Sequence, residues 1–226
     1  GRWMFGNRVF DADQVFVVKN ATDFERFKQS RKKTENLKKK LGLKDEFIVE
    51  HVGRFTYAKN HIFLLDVFSG IIDKKKNAVL LLVGDGELHQ LVVDKVKEKG
   101  LEERVVFCGQ VSDPESYYSL ADVLVIPSLF EGLSLATIES QIAGVPAVVS
   151  DAIPEEAVIS NGVRRLKLSD EEWVDTVLNI ADKKVVLNEK SQEYNIEYAV
   201  KKLEGWYINK KNEIDDNIVR NERGKT

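Results

Sequence analysis

"DVLVIPSLFEGLSLATIESQIAGVPAVVSD", residues 122 to 151, is the stretch on which the fold turns. DVLVIPS (122–128) is dominated by Val, Leu and Ile without polar alternation, as in a strand buried on both faces. SLATIESQIAG (134–144) has apolar residues at helical spacing and closes on Gly144 with Pro146 beyond, a combination that ends a helix. PAVVSD (146–151) reads as a second strand. Strand, helix and strand in this succession form a βαβ unit, and right-handed crossovers between such units wind a parallel sheet with helices on both faces.

The same alternation extends upstream to residue 46. EFIVEHV (46–52), AVLLLVG (78–84) and RVVFCG (104–109) read as strands. NHIFLLDVFSGII (60–72) and GELHQLVVDKVKEKG (86–100) read as helices, the second ending at Gly100. SDPESYYSLA carries Ser112 and Glu115 at capping-box spacing, with Pro114 in the first turn of a short helix. The expected fold class is α/β, a doubly wound, Rossmann-like parallel sheet. The flanks differ from this body. Residues 1–23 hold one further apolar run, QVFVVKN; 24–45 are strongly basic; and 170–226 look helical before the polar tail NKKNEIDDNIVRNERGKT, which is expected to fray.

Composition narrows the function classes. The chain has 226 residues, 43% hydrophobic and 31% charged, enough for one substantial core. A net charge of -3 offers no field to attract nucleic acid. The single cysteine, Cys108, excludes an internal disulfide and fits a reducing compartment, so a cytoplasmic location is expected. No apolar stretch approaches the roughly 18 residues of a membrane span. The chain begins at Gly1 without an initiator methionine, as a fragment would.

Ligands of open parallel sheets gather beyond the carboxyl ends of the strands. Three loops there carry unusual chemistry: GRFTYAKN (53–60), GDGEL (84–88) and PSLFEGLS (127–134). Arg54 and Lys59 pair a guanidinium fork with a flexible ammonium, suited to sharing a diphosphate, although they also read as ordinary surface charges in a turn. GDG permits close backbone approach. The dinucleotide fingerprint needs a third glycine where His89 stands, and no P-loop motif is present.

Glu131 and Glu139 frame the start of the helix at 134. With Ser134 as its cap, Leu135, Ile138 and Ile142 form the core-facing stripe, and Glu139 lies about 40° from Leu135 at about 100° per residue. A carboxylate steered inward needs a donor, either an internal base or a ligand hydroxyl. Glu131 precedes the helix beside Gly132, where backbone N–H groups of residues 133 to 135 point outward and would attract phosphate. Hydroxyls at two places with phosphate between them describe a nucleotide sugar. The alternative is that Glu139 pairs with a nearby Lys or Arg and Glu131 is solvated.

In that order, GRFTYAKN, LLLVGDGEL, VVFCGQVSD and ADVLVIPSLFEGLSLATIESQIAGVPAVVSD resemble the carboxyl-terminal, donor-binding half of GT-B glycosyltransferases of family 4, or group 1. The resemblance runs from about residue 15 to 205, and the E-x7-E motif formed by Glu131 and Glu139 is diagnostic of that family. VVKNATDFERF, IPEEAVIS and LSDEEWVDTVL further resemble its capsular and exopolysaccharide branch. The resemblance implies that Arg54 and Lys59 bind the donor diphosphate and stabilise the leaving group. It also implies that Glu131 contacts sugar hydroxyls and Glu139 the ribose, that amides of Leu133, Ser134 and Leu135 beside Gly132 touch the phosphates, and that the loop after Gly53 and the loop with Val111 hold the nucleotide. It implies a retaining, metal-independent hexosyltransferase with no cofactor. Its substrates would be a nucleotide sugar, most often UDP-linked, and a glycan or lipid-linked saccharide acceptor.

On this reading residues 1–23 end a preceding acceptor domain, 24–45 form a basic linker or helix, 46–185 the donor-binding domain, and 186–226 a terminal helix and tail. An isolated donor half is expected to bind donor weakly and to turn over little. Two alternatives stay open: a GT-B nucleotide-sugar epimerase, disfavoured by the E-x7-E spacing, and a non-catalytic nucleotide-binding half-domain. Of the remaining residues, His51 is expected to be structural and His61 and His89 to lie on helix surfaces, with no grouping spaced for a metal. Trp173 and Trp206 are expected to pack helices on the sheet. Asp113 and Asp122 read as boundary residues. The segment KQSRKKTENLKKKLGLK is expected to be a solvated helix face, its other reading being peripheral contact with anionic lipid at the inner face of the plasma membrane.

Overall fold

Six apolar segments become strands: β1 (Phe47–Val52), β2 (Ala78–Val83), β3 (Val105–Gly109), β4 (Val123–Ile126), β5 (Ala147–Ser150) and β6 (Val163–Leu166). They form one sheet in the order β3-β2-β1-β4-β5-β6, with every pairing parallel. The computed structural model describes residues 16–30 and 34–223. Every residue of β2, β4 and β5 is buried, as their unbroken apolar runs require. β6 escapes a sequence reading because VRRL is apolar only at its ends; Arg164 and Arg165 are exposed on an edge strand.

The helices are α1 (Phe24–Ser30), α2 (Thr34–Lys40), α3 (His61–Lys74), α4 (His89–Glu98), α5 (Pro114–Tyr118), α6 (Leu135–Ala143), α7 (Trp173–Ile180) and α8 (Ile196–Arg223). Helices α3, α4 and α7 cover one face, where Leu64, Phe68, Val96 and Trp173 pack against Val49, Leu80 and Val125. Each such large apolar side chain contributes about 1.5–3 kcal/mol on full burial. On the other face Ile48, Val79, Leu81 and Leu120 form a smaller cluster with Leu43, and Leu37 and Leu41 pack onto it. The apolar residues of the basic segment are therefore spent on the protein's own sheet.

Two compact units divide the chain. One is Glu25–Glu189, with the whole sheet; the other joins the residues up to Phe24 to Lys190 and beyond. The basic segment thus belongs, from Glu25, to the sheet-bearing unit. In the smaller unit Thr22 and Asn195 form an isolated bridge, and Phe16 stacks on Trp206 with ring centroids 5.7 Å apart. Trp206 thus stacks on an aromatic neighbour within the smaller unit, and Trp173 is in the core as expected. The described part of QVFVVKN, from Phe16, carries no strand, and its start lies outside the described residues. The polar tail, expected to fray, continues α8 to Arg223. No helix among the described residues is long and apolar enough to cross a membrane.

Two boundary expectations are revised. α5 is preceded by Asp113 without a side-chain cap bond, so the Ser112–Glu115 box does not form; Glu115 turns instead to Arg26, 2.8 Å from its Nη2. The second helix starts at His89, three residues later than its glycine-rich approach suggests. Asp122 does mark a strand boundary, where its carboxylate accepts the Ile48 N–H at 2.7 Å.

Candidate functional site

Strand order reverses between β1 and β4, and the loops that leave their carboxyl ends meet there. The Leu129 N–H donates to the Ala58 carbonyl at 2.8 Å, joining the β4 loop to the β1 loop. Lys59 closes a 3-10 turn at Tyr57–Lys59, and Asn60 follows in the left-handed region at φ 54°, which turns the chain into α3. This turn aims Lys59 across the switch point, where its ammonium pairs with the Glu131 carboxylate. The two side chains are only 18% and 12% exposed, and Ser128 Oγ also donates to Glu131 at 3.0 Å. Glu131 is thus neither solvated nor free.

The β2 loop is pressed against the β1 loop. At Gly84, φ is 136°, and a Cβ would lie 2.0 Å from the Gly53 carbonyl oxygen; a Cβ on Gly86 would lie 2.6 Å from the Phe55 carbonyl. The close approach that GDG permits is therefore made by the protein's own backbone. Beside it a cleft of about 420 Å³ is lined by Arg54, Gly84, Asp85, Gly86 and Gln110. Arg54 is exposed there, its Nε 3.6 Å from a Glu87 carboxylate oxygen. Val111, half-buried, follows Gln110 beyond β3.

Beneath Lys59 lie two buried imidazoles. His51 Nδ1 is 2.8 Å from the Val125 carbonyl, which can only accept, so Nδ1 carries the proton and Nε2 is a bare acceptor without a partner among the described residues. A Cβ on Gly53 would sit 3.2 Å from that Nε2 and equally close to the Lys59 stem. His61, expected on a helix surface, is 3% exposed, stacked on Phe55 with centroids 4.2 Å apart. Burial, then the Lys59 charge, pulls its pKa down to about 4. His89 is half-buried between Phe55 and Phe107, with centroids 5.2 Å from each.

Ser134 occupies the N-cap position of α6 without a side-chain cap bond; its hydroxyl accepts from Thr137 Oγ1 at 2.9 Å. Gly132 is exposed, with open space where a Cβ would lie, and Leu133 is half-buried. The buried face of α6 is Thr137, Ile138, Ser140, Gln141 and Ala143, while Leu135 is 41% exposed and Ile142 half-buried. The expected stripe of Leu135, Ile138 and Ile142 is thus rotated, and Gln141 is the reason. Its amide nitrogen donates to the Thr137 and Ala157 carbonyls at 2.6 and 2.8 Å, and its oxygen accepts from the Ile159 N–H and Ser160 Oγ at 2.8 and 2.9 Å. A polar residue satisfied on both ends is buried at little cost, and apolar periodicity cannot see it.

Glu139 is half-buried, and its partner is neutral: Tyr118 Oη donates to Oε2 at 3.0 Å. Burial raises its carboxyl pKa, the Tyr118 bond works against this, and the Glu115 charge adds to it. One acid on this face was missed. Glu50, in β1, is fully buried with neither oxygen partnered among the described residues, and burial first, then the Glu139 charge, pushes its pKa well up, so it is a neutral acid. A carboxylate inside the apolar run FIVEHV was the available signal.

The structure thus joins Gly53, Lys59 and Glu131 directly, sets Arg54 in the adjoining cleft, and places Glu139 against Tyr118. The family described as "Glycosyl transferases group 1" matches residues 33–202. The chain belongs to the group 1 glycosyl transferases. EpsF of Bacillus subtilis (strain 168) is 32% identical to this group 1 chain over 185 residues, 80% of the chain and 48% of EpsF. An Escherichia coli protein named UDP-Gal:alpha-D-GlcNAc-diphosphoundecaprenol alpha-1,3-galactosyltransferase is 29% identical over 212 residues, 88% of the chain and 55% of that protein. Among solved structures, Anabaena HepE in complex with UDP and glucose superposes with a TM-score of 0.68 at 18% identity, over 84% of the chain and 55% of HepE. The group 1 chain therefore spans about half the length of these relatives. The fold expected from sequence, one Rossmann-like half of a GT-B enzyme, is the fold observed.

Proposed function

We propose that this chain forms the donor-binding half of a hexosyltransferase that takes a nucleoside diphosphate sugar, uridine-linked by preference, for transfer to a glycan or lipid-linked acceptor. The observation that carries the reading is the Lys59–Glu131 pair at the switch point. A diphosphate entering there offers Lys59 a stronger anion, and Glu131, so released, accepts sugar hydroxyls, so that each charge changes partner without being stranded. Arg54 in the adjoining cleft and the amide end of α6, at Gly132, Leu133, Ser134 and Leu135, add positive potential without a metal ion. Glu139 is the acceptor for ribose hydroxyls, and Gly53 and Val111 flank the nucleotide.

The E. coli relative's name, with its UDP-Gal donor and diphosphoundecaprenol-linked acceptor, and the UDP and glucose bound to HepE support the choice of substrates. The epimerase alternative draws no support from these relatives. Contact with an anionic membrane would be electrostatic, through Lys38, Lys39 and Lys40 at the end of α2, because Leu37 and Leu41 are occupied in packing.

Saturation-transfer NMR with UDP, GDP, ADP and NAD tests the reading. UDP is expected to give contacts that weaken at least about tenfold in Arg54→Ala and Lys59→Ala, the worth of a hydrogen bond to a charged group. Equal binding of NAD, or UDP contacts indifferent to both substitutions, would overturn it.

A further inference from the structure

We propose that Tyr118 is a positioning residue for the nucleoside end of the donor site: its buried hydroxyl fixes the direction and the charge of the Glu139 carboxylate. The proposal rests on the reading that Glu139 accepts hydroxyls of the bound nucleotide. Tyr118 is fully buried, and its ring lies against Phe27 with centroids 6.2 Å apart. α5, which carries it, is moored to α1 by Arg26, whose Nη2 and Nε lie 2.8 and 3.1 Å from one Glu115 oxygen. The hydroxyl is therefore in place before any ligand arrives. Burial, followed by the Glu139 charge, holds its pKa well above the usual phenol value, so it stays a donor.

With Tyr118 on Oε2 at 3.0 Å, Glu139 presents Oε1 to a ligand. The groups that face Glu139 are Tyr118 and Glu115 from α5, Arg26 from α1 and Glu50 from β1. Arg26 is engaged by Glu115, and Glu50 is a neutral acid, so the Tyr118 hydroxyl is the direct bond that favours the Glu139 anion among the described residues. Deleting it leaves only the weaker pull of the Arg26 charge against burial and the Glu115 charge. The carboxyl then holds its proton to higher pH and loses a fixed direction.

Tyr118→Phe removes one oxygen and keeps the ring. In the ligand-free chain, the Glu139 carboxyl followed by 13C NMR, and assigned with Glu139→Gln, is expected to titrate at higher pH in Tyr118→Phe. By calorimetry, UDP affinity is expected to fall roughly two- to tenfold near pH 7, one net hydrogen bond. The pH below which binding weakens is expected to move upward. In a Glu139→Gln background Tyr118→Phe should change neither affinity nor profile. An unmoved Glu139 titration overturns the proposal whatever UDP does. A moved titration with unchanged UDP affinity overturns the positioning role and leaves the donor reading standing. If the unsubstituted chain fails to bind UDP, the donor reading falls and takes this proposal with it.

Discussion

Lys59→Met keeps most of the lysine stem and deletes its charge, which isolates what the pair at the switch point is worth. Glu131 would be left 12% exposed, with Ser128 Oγ still donating to it at 3.0 Å. An uncompensated buried carboxylate costs about 3–5 kcal/mol, and because this one lies at a crevice open to water the lower end, about 3 kcal/mol, is expected. Glu131→Gln should cost a comparable amount by stranding the Lys59 ammonium, 18% exposed. The double variant removes both charges and should recover most of the loss, giving a coupling of at least about 1.5 kcal/mol. Lys74→Met is the control: its pair with Asp175 is 53% and 62% exposed, and such pairs contribute about 1 kcal/mol or less. Urea unfolding, read from the midpoint at constant slope, measures all four. If Lys59→Met costs no more than Lys74→Met, or the single losses sum to the double, the pair is an ordinary surface contact and the exchange mechanism has no energetic basis.

Three further outcomes follow from buried groups and one glycine. Glu50→Met should stabilise the chain by about 1–3 kcal/mol, since it replaces an unpartnered buried acid with an apolar stem. Its raised folded pKa means that ionisation of the unfolded chain erodes stability as pH rises above about 4.3, so the gain in urea melts should be larger at pH 7 than at pH 4, and a pH-independent gain would contradict a neutral Glu50. His61 has the opposite sign: held down to about 4, it costs stability as pH falls from about 6.5 toward 4, because the unfolded chain takes up the proton first, and His61→Phe should flatten that part of the stability curve. Gly84→Ala, with positive φ and a 2.0 Å backbone clash, should cost more than about 3 kcal/mol, whereas Gly132→Ala meets open space and should leave the melting temperature unchanged. Equal melting temperatures for the two would refute the account of the loop contact.

How much of this was legible in the sequence depended on whether one residue's chemistry or a meeting of distant residues was at stake. β2, β4 and β5 declared themselves because a strand buried at every position has to be apolar throughout, β1 and β3 because their runs stay mostly apolar, and Gly144 marked the end of α6 because the chain leaves the helix there at φ 84°. β6 and the rotation of α6 did not, because an edge strand tolerates arginines and a fully bonded Gln141 can be buried among apolar residues. The loops that carry Arg54, Lys59 and Glu131 were readable from their position after strands. The Lys59–Glu131 pair was not, since it spans 72 residues and depends on β1 and β4 being neighbours. The buried pair of His51 and His61 was hidden for the same reason, as the first turn of α3 looks exposed until Phe55 folds over it.

The contrast between the two motif glutamates bears on how a donor could be held at all. Glu131 is bound to a charge, and Glu139 to a hydroxyl. A ligand that brings its own anion can displace the first contact only if Lys59 gains by the trade, so the pair sets a threshold that a neutral sugar alone does not cross. Glu139 demands no such trade: Tyr118 holds one oxygen, and a ligand hydroxyl can take the other without removing a counter-charge. On the proposed reading, the diphosphate therefore opens the site and the hydroxyls select within it. The sugar-free nucleoside diphosphate should then bind the chain by calorimetry while the free sugar does not, and saturable binding of glucose or galactose alone would break this order of events.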